Sequence, residues 1–160
     1  MGRIRTQKRK HILFHHPQNT IIMNTKLNCI LLIDDDADDN YFHKMIIDEM
    51  NITEHVEVAL NGLEALNYLK NENQYKPDLV FLDINMPKMN GWEFLEAHSK
   101  LSKEQKAKEI VVMLTTSSNP EDKKRAEQYS EVTDFNSKPL TKEILTVILE
   151  RYFPKALPVV

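Results

Sequence analysis

The sequence predicts an α/β protein: a doubly wound, five-stranded parallel sheet with five helices. Two observations carry this. Apolar runs of four or five residues alternate with segments of helical period from residue 29 to residue 149, the pattern of a parallel sheet covered by helices on both faces. Two of those runs, Cys29-Ile30-Leu31-Leu32-Ile33 and Leu79-Val80-Phe81-Leu82, end directly in carboxylates, Asp34-Asp35-Asp36 and Asp83. Crowded carboxylates repel one another and raise each other's pKa unless a cation neutralises them. Their placement therefore points to a site at one edge of the sheet.

The elements follow in order. Residues 29–33 form the first strand. A helix over residues 38–50 carries Phe42, Met45, Ile46 and Met50 at helical spacing, with acids in its first turn where the macrodipole favours them. A short strand spans residues 56–59. Asn61-Gly62 leads into a helix whose buried stripe is predicted as Leu63, Leu66 and Leu69, and Lys76-Pro77 breaks the chain before the strand at residues 79–83. Residues 85–91 read as a loop, Trp92, Phe94 and Leu95 open a helix with core side chains, and the charged residues 99–109 read as its solvated extension. Residues 110–114 form the fourth strand, and Pro120 starts a polar helix through Tyr129. The fifth strand spans residues 133–136. Ile144, Leu145, Ile148 and Leu149 give the last helix its buried face.

At 160 residues the chain suits one domain with a real core. The organisation expected is a disordered basic leader over residues 1–25, a folded domain over residues 26–153 and a tail over residues 154–160, with no room for an output domain. Hydrophobic residues make up 41% and charged residues 28%, and no apolar stretch approaches the roughly 20 residues of a membrane helix. The single cysteine, Cys29, lies in the first apolar run, so it reads as core and excludes a disulfide framework. A reducing, cytoplasmic setting follows. The formal charge of −3 hides an asymmetry. Arg3, Arg5, Lys8, Arg9 and Lys10 sit in a leader without acids, leaving 16 basic against 24 acidic residues, a balance of −8. A net-acidic body argues against nucleic acid as a ligand. The leader has the character of a transit peptide or polybasic tail, but Met23 stands just before the first folded element and is a candidate start. His15 and His16 read as solvated.

Right-handed crossovers place all strand C-termini of such a sheet along one edge, where ligands bind. Asp34 and Asp35 end the first strand, Asp83 the third, Thr115 the fourth and Lys138 follows the fifth. Core packing gains nothing from carboxylates and a lysine in that register. Three carboxylates and a hydroxyl suit a hard cation such as Mg²⁺, with Mn²⁺ as an alternative, and such an ion keeps open positions for phosphate oxygens. A lysine adds a mobile positive charge and a threonine a hydrogen bond to the same phosphate. A carboxylate beside the metal can then act as nucleophile and form an aspartyl-phosphate; Asp83 is the candidate.

These residues resemble the receiver domains of two-component response regulators. The likeness rests on Ile33-Asp34-Asp35-Asp36, on Asp83-Ile84-Asn85-Met86-Pro87-Lys88-Met89-Asn90-Gly91, on Leu114-Thr115-Thr116-Ser117 and on Ser137-Lys138-Pro139-Leu140, across roughly residues 28–153. It implies a flavodoxin-like sheet of strand order 2-1-3-4-5 and phosphoryl transfer to Asp83 from a sensor histidine kinase or a histidine phosphotransfer protein. It implies Mg²⁺ held by Asp35, Asp83 and the Asn85 backbone carbonyl, with Asp34 acting through water. Lys138 would pair with the phosphate and precede a cis proline. Thr115 would move toward the phosphoryl group while Phe135 turns inward; phenylalanine stands here where tyrosine is commoner, so the ring's tip offers no hydrogen bond. The Thr-Thr-Ser run, the charged lengthening before the fourth strand and the Lys-Pro-Leu ending look most like small stand-alone regulators, of chemotaxis or phytochrome type.

Output would then be binding, through the face of the fourth predicted helix, fifth strand and fifth predicted helix, roughly residues 121–152, to a downstream protein or a second copy. Catalysis would be limited to slow self-dephosphorylation. The rival from another class is a non-switching interaction module on the same fold, for which Asp83, the acidic pair or Lys138 would be expected to be missing. A calcium loop starting at Asp34 is contradicted by Asp39 at its sixth position and Met45 at its twelfth. A phosphatase using Asp34-x-Asp36 would leave the Asp83 and Lys138 motifs unexplained. Thr116 and Ser117 either shape water access to the phosphate or start a loop and cap the next helix. His43, His55 and His98 have no ligand-spaced partners and are assigned no chemistry.

Overall fold

The computed structural model describes residues 24–106 and 110–158. Nearly all of the predicted basic leader, with His15, His16 and the candidate start Met23, lies outside the described residues, as do residues 107–109 of the charged stretch. Among the described residues the chain runs β1 (Leu27–Ile33), α1 (Ala37–Met50), β2 (Thr53–Ala59), α2 (Gly62–Lys70), β3 (Leu79–Leu82), α3 (Gly91–Ser99), α4 (Lys103–Lys106), β4 (Ile110–Thr115), α5 (Pro120–Ala126), β5 (Val132–Ser137) and α6 (Lys142–Tyr152), then a 3₁₀ turn at Pro154–Ala156. The sheet order is β2-β1-β3-β4-β5, with every pairing parallel.

Successive side chains of a strand point to opposite faces, and this divides the core in two. Leu31, Ile33, Val80, Leu82 and Met113 face a layer with Leu66, Leu69, Phe94, Leu95 and Ala126, from α2, α3 and α5. Ile30, Leu32, Phe81, Val112 and Leu114 face Ile47 of α1 and Leu145, Ile148 and Leu149 of α6. The central strands are buried on both sides, which explains their continuous apolar runs. Cys29 is fully buried, and burial pushes its thiol up to about 11, so it stays protonated core.

Several expectations need correction. The charged stretch before β4 is not an extension of α3: that helix ends at Ser99, and Lys103–Lys106 form a separate turn of helix, so six α-helices are described where five were predicted. The outward face of α1 carries Phe42 and Met45, at 53% and 47% exposure, while Asn40, His43 and Ile47 face inward. Leu63 on α2 is likewise exposed, and Ala65 takes its place in the stripe. Strand β2 begins at Thr53, earlier than its apolar residues suggest, because an edge strand tolerates Glu54 and Glu57. Residues beyond α6 pack onto the domain. Ala156 is buried, Leu157 packs against the second core layer, and the Thr25 N–H donates to the Lys155 carbonyl at 3.0 Å.

Candidate functional site

The parallel register brings the ends of β1, β3 and β5 to one open cleft of about 490 Å³, lined by Asp34, Asp35, Asp36, Asp38, Asp39, Asp83, Asn85, Thr116 and Lys138. Backbone bonds set the acids in place. The Asp34 N–H donates to the Ala59 carbonyl at 3.0 Å and the Asp83 N–H to the Ile33 carbonyl at 2.9 Å, so both carboxylates leave the sheet side by side. Asn40 Nδ2 holds the Asp34 carbonyl at 2.8 Å from the first turn of α1. Asp36 is the N-cap of α1, accepting from the Asp38 and Asp39 N–H groups. Because α1 starts at Ala37, the acids after β1 form no calcium-binding loop.

The loop after β3 is closed by Gly91, whose N–H donates to the Ile84 carbonyl at 2.8 Å. A Cβ at Gly91 would run into the Asp83 carbonyl oxygen and Ile84 Cα. Asn90 and Glu93 then form a capping box that starts α3. Asn85 lies exposed on this loop at the cleft wall.

Lys138 crosses the cleft. Its N–H donates to the Thr115 carbonyl at 2.9 Å, tying β5 to the end of β4, and the Lys138-Pro139 peptide is cis, as the resemblance implied. The ammonium lies 2.5 Å from Asp34 Oδ2, 2.8 Å from Asp39 Oδ2 and 3.4 Å from Asp83 Oδ2, with its side chain 7% exposed. Burial works to lower its pKa, but the bonds to Asp34 and Asp39 and the charge of Asp83 outweigh that and hold it above the usual lysine value. Asp83 shifts upward, chiefly because it is buried and further because Asp34 is near; Lys138 and a 2.8 Å bond from the Ile84 N–H oppose the shift without cancelling it.

Oxygen atoms of Asp34, Asp35 and Asp83 all lie within 4.8 Å of one another. Hard oxygen donors, two buried and one exposed at an open cleft, suit an octahedral Mg²⁺ that retains water. The residues present thus fit the ion. Thr115 does not line the cleft: it is fully buried and its Oγ1 accepts from the Ser117 N–H at 3.2 Å, while Thr116 reaches the cleft wall. Ser117 bonds Asp122 and so serves the start of α5, which Asn119 caps. Phe135 is half-buried on β5 opposite Met113 and lines a separate hollow of about 160 Å³ with Lys123 and Ala126 of α5. Sequence reasoning missed Asp39 and His43, which reach the Lys138 loop from α1; the Leu140 N–H donates to His43 Nε2 at 3.2 Å. Their signal was the spacing of Asp39, His43 and Ile47 along the inward side of α1.

Comparison with known proteins gives the same picture. A two-component response regulator from Cytophaga hutchinsonii superposes with a TM-score of 0.71 at 32% identity, covering 81% of this chain and 99% of that one. The sensor histidine kinase CheAY of Helicobacter pylori is 32% identical over 140 residues, 87% of this chain but 17% of that protein. Response regulator Rcp1 of Synechocystis is 32% identical over 98 residues, 58% of this chain and 65% of Rcp1. The chain thus spans less than two thirds of either curated relative. Residues 30–150 match the response regulator receiver domain, and with the strand order and the acidic cleft this places the chain in the response regulator receiver domain family.

Proposed function

We propose that this receiver accepts a phosphoryl group on Asp83 from a histidine kinase or histidine phosphotransfer protein and passes the signal on through the face formed by α5, β5 and α6. The observation that carries the proposal is the convergence, in one open cleft, of Asp83 with Asp34, Asp35 and the ammonium of Lys138.

Mg²⁺ held by Asp34, Asp35 and Asp83, with Asn85 beside them, would neutralise the transferring phosphoryl group and orient it. The chain's own residues do the rest. An Asp83 carboxylate oxygen attacks phosphorus, and its new O–P bond forms as the donor's P–N bond breaks. The leaving imidazole keeps the electron pair and takes a proton. Lys138 is within reach to balance charge on the phosphoryl oxygens. Thr115 reports the new group by turning its hydroxyl from the Ser117 N–H toward the phosphate, and Phe135, packed against α5, moves with it. The phosphate can shift the equilibrium only by contacts that differ between the two states, and those two residues supply them. Slow hydrolysis of the acyl-phosphate ends the signal, and kinase and receiver meet in the cytoplasm. The downstream partner is a separate protein or a second copy.

Phosphoramidate, whose P–N bond resembles that of phosphohistidine, tests the chemistry. Intact mass should rise by one phosphoryl group in the presence of Mg²⁺, and neither chelated protein nor Asp83→Asn should gain it. A gain in the variant equal to that of the wild type would contradict the proposal, and no gain in either would favour a non-switching interaction module.

A further inference from the structure

The ammonium of Lys138 is bonded on both sides of the cleft. Asp34 and Asp83 belong to the carboxylate group at the strand ends, whereas Asp39 stands on α1 outside that group. We propose that Asp39 is a positioning residue that latches Lys138 to α1 in the resting state, and that a phosphoryl group on Asp83 draws the amine away from it. This rests on the phosphoacceptor reading of Asp83.

Three observations carry it. The amine has three N–H groups, and its two short contacts are to Asp34 and Asp39, leaving Asp83 the longest at 3.4 Å. The third N–H faces Asp83 from that longer distance, so closing on a phosphoryl oxygen there requires the ammonium to shift, and the shift must lengthen one of the two short contacts. Asp34 is only 7% exposed and stands beside Asp83 at the strand ends, so the ammonium can shift toward Asp83 without leaving it, whereas the Asp39 side chain is 34% exposed, lies on α1 and can be given back to water. Asp39 is the partner that can be exchanged.

The contact is also built by the fold. One turn further along α1, the buried bond from the Leu140 N–H to His43 Nε2 fixes the helix against the loop that carries Lys138. A lysine meeting an aspartate by chance would show no such support. Among the described residues the Asp39 carboxylate makes no other ion pair, and it is Asp36 that caps the helix. Asp38 supplies an internal control: it is exposed in the same turn and lines the same cleft, yet makes no ion pair with Lys138.

The test compares beryllofluoride binding, with Mg²⁺, in the wild type, Asp39→Ala and Asp38→Ala. Removing the competing carboxylate should tighten binding about five-fold in Asp39→Ala, the effect of one partly exposed ion pair, and should leave Asp38→Ala within about two-fold of wild type. In the metal-free proteins, the Lys138 ε-methylene NMR signals should move in Asp39→Ala and stay put in Asp38→Ala. Unchanged or weaker binding by Asp39→Ala, an equal gain in Asp38→Ala, or an unmoved Lys138 signal would overturn the latch while leaving the phosphoacceptor reading intact. A wild-type chain that takes neither beryllofluoride nor a phosphoryl group would overturn both.

Discussion

His43 is 2% exposed, and because its Nε2 accepts from the Leu140 N–H, the imidazole is held neutral with its proton on Nδ1. Burial is the main cause that lowers its pKa below 6.5, and Asp39 and Asp34 offset this only in part. Below the ordinary histidine value the unfolded imidazole takes a proton that the folded one refuses. The contribution is therefore present above about pH 6.5 and is lost as pH falls beneath it. The urea midpoint should drop between about pH 7.5 and 5.5 in the wild type and drop less in His43→Gln, which keeps an acceptor but cannot titrate. Equal slopes would contradict this assignment. The spacing of Asp39, His43 and Ile47 marks one side of α1, but what His43 and Asp39 bond was illegible in the sequence because their partners lie 97 and 99 positions away. The acids and the lysine of the cleft were legible because each ends its own strand.

At the scale of elements, apolar content located the strands and misjudged two helix faces. Strands β1, β3 and β4 are nearly all buried, so their runs need no partner to be seen. On α1 the inward face is partly polar: Asn40 bonds the Asp34 carbonyl and His43 the Leu140 N–H, which leaves Phe42 and Met45 outside. A hydrophobic stripe cannot reveal a helix seated by hydrogen bonds. The loop between β3 and α3 depends instead on space. Gly91 has no positive φ, so its role is close approach: backbone atoms of Asp83 and Ile84 occupy the place of a Cβ. Backbone cannot swing aside as a flexible side chain can. Gly91→Ala should cost about 1–3 kcal/mol in urea unfolding and reduce phosphoryl acceptance by displacing Asp83. An unchanged midpoint would show that the loop absorbs the methyl group.

Across the whole molecule, sheet topology does the work that sequence distance obscures. The parallel strand order brings Asp34, Asp83 and Lys138 within one cleft, and Thr115, in register with Ser137, and Phe135, opposite Met113, are the residues proposed to carry its state to α5, β5 and α6. Beryllofluoride with Mg²⁺ should therefore change amide exchange within residues 121–152 as well as around the cleft. A change confined to the cleft would separate phosphoryl acceptance from that readout face. The fold class was legible from pattern because a two-sided sheet leaves so plain a signature, and the strand order came from the family resemblance, whereas the number of helices was not legible, since the short turn at Lys103–Lys106 has no buried residue to announce it. The central claim is the identity of the acceptor. Borohydride reduces an aspartyl-phosphate to homoserine with release of phosphate, so peptide mass spectrometry of phosphorylated, reduced protein names the residue directly. Homoserine at position 83 alone is the predicted result, and homoserine at position 34, 35 or 36, with Asp83 intact, would contradict it.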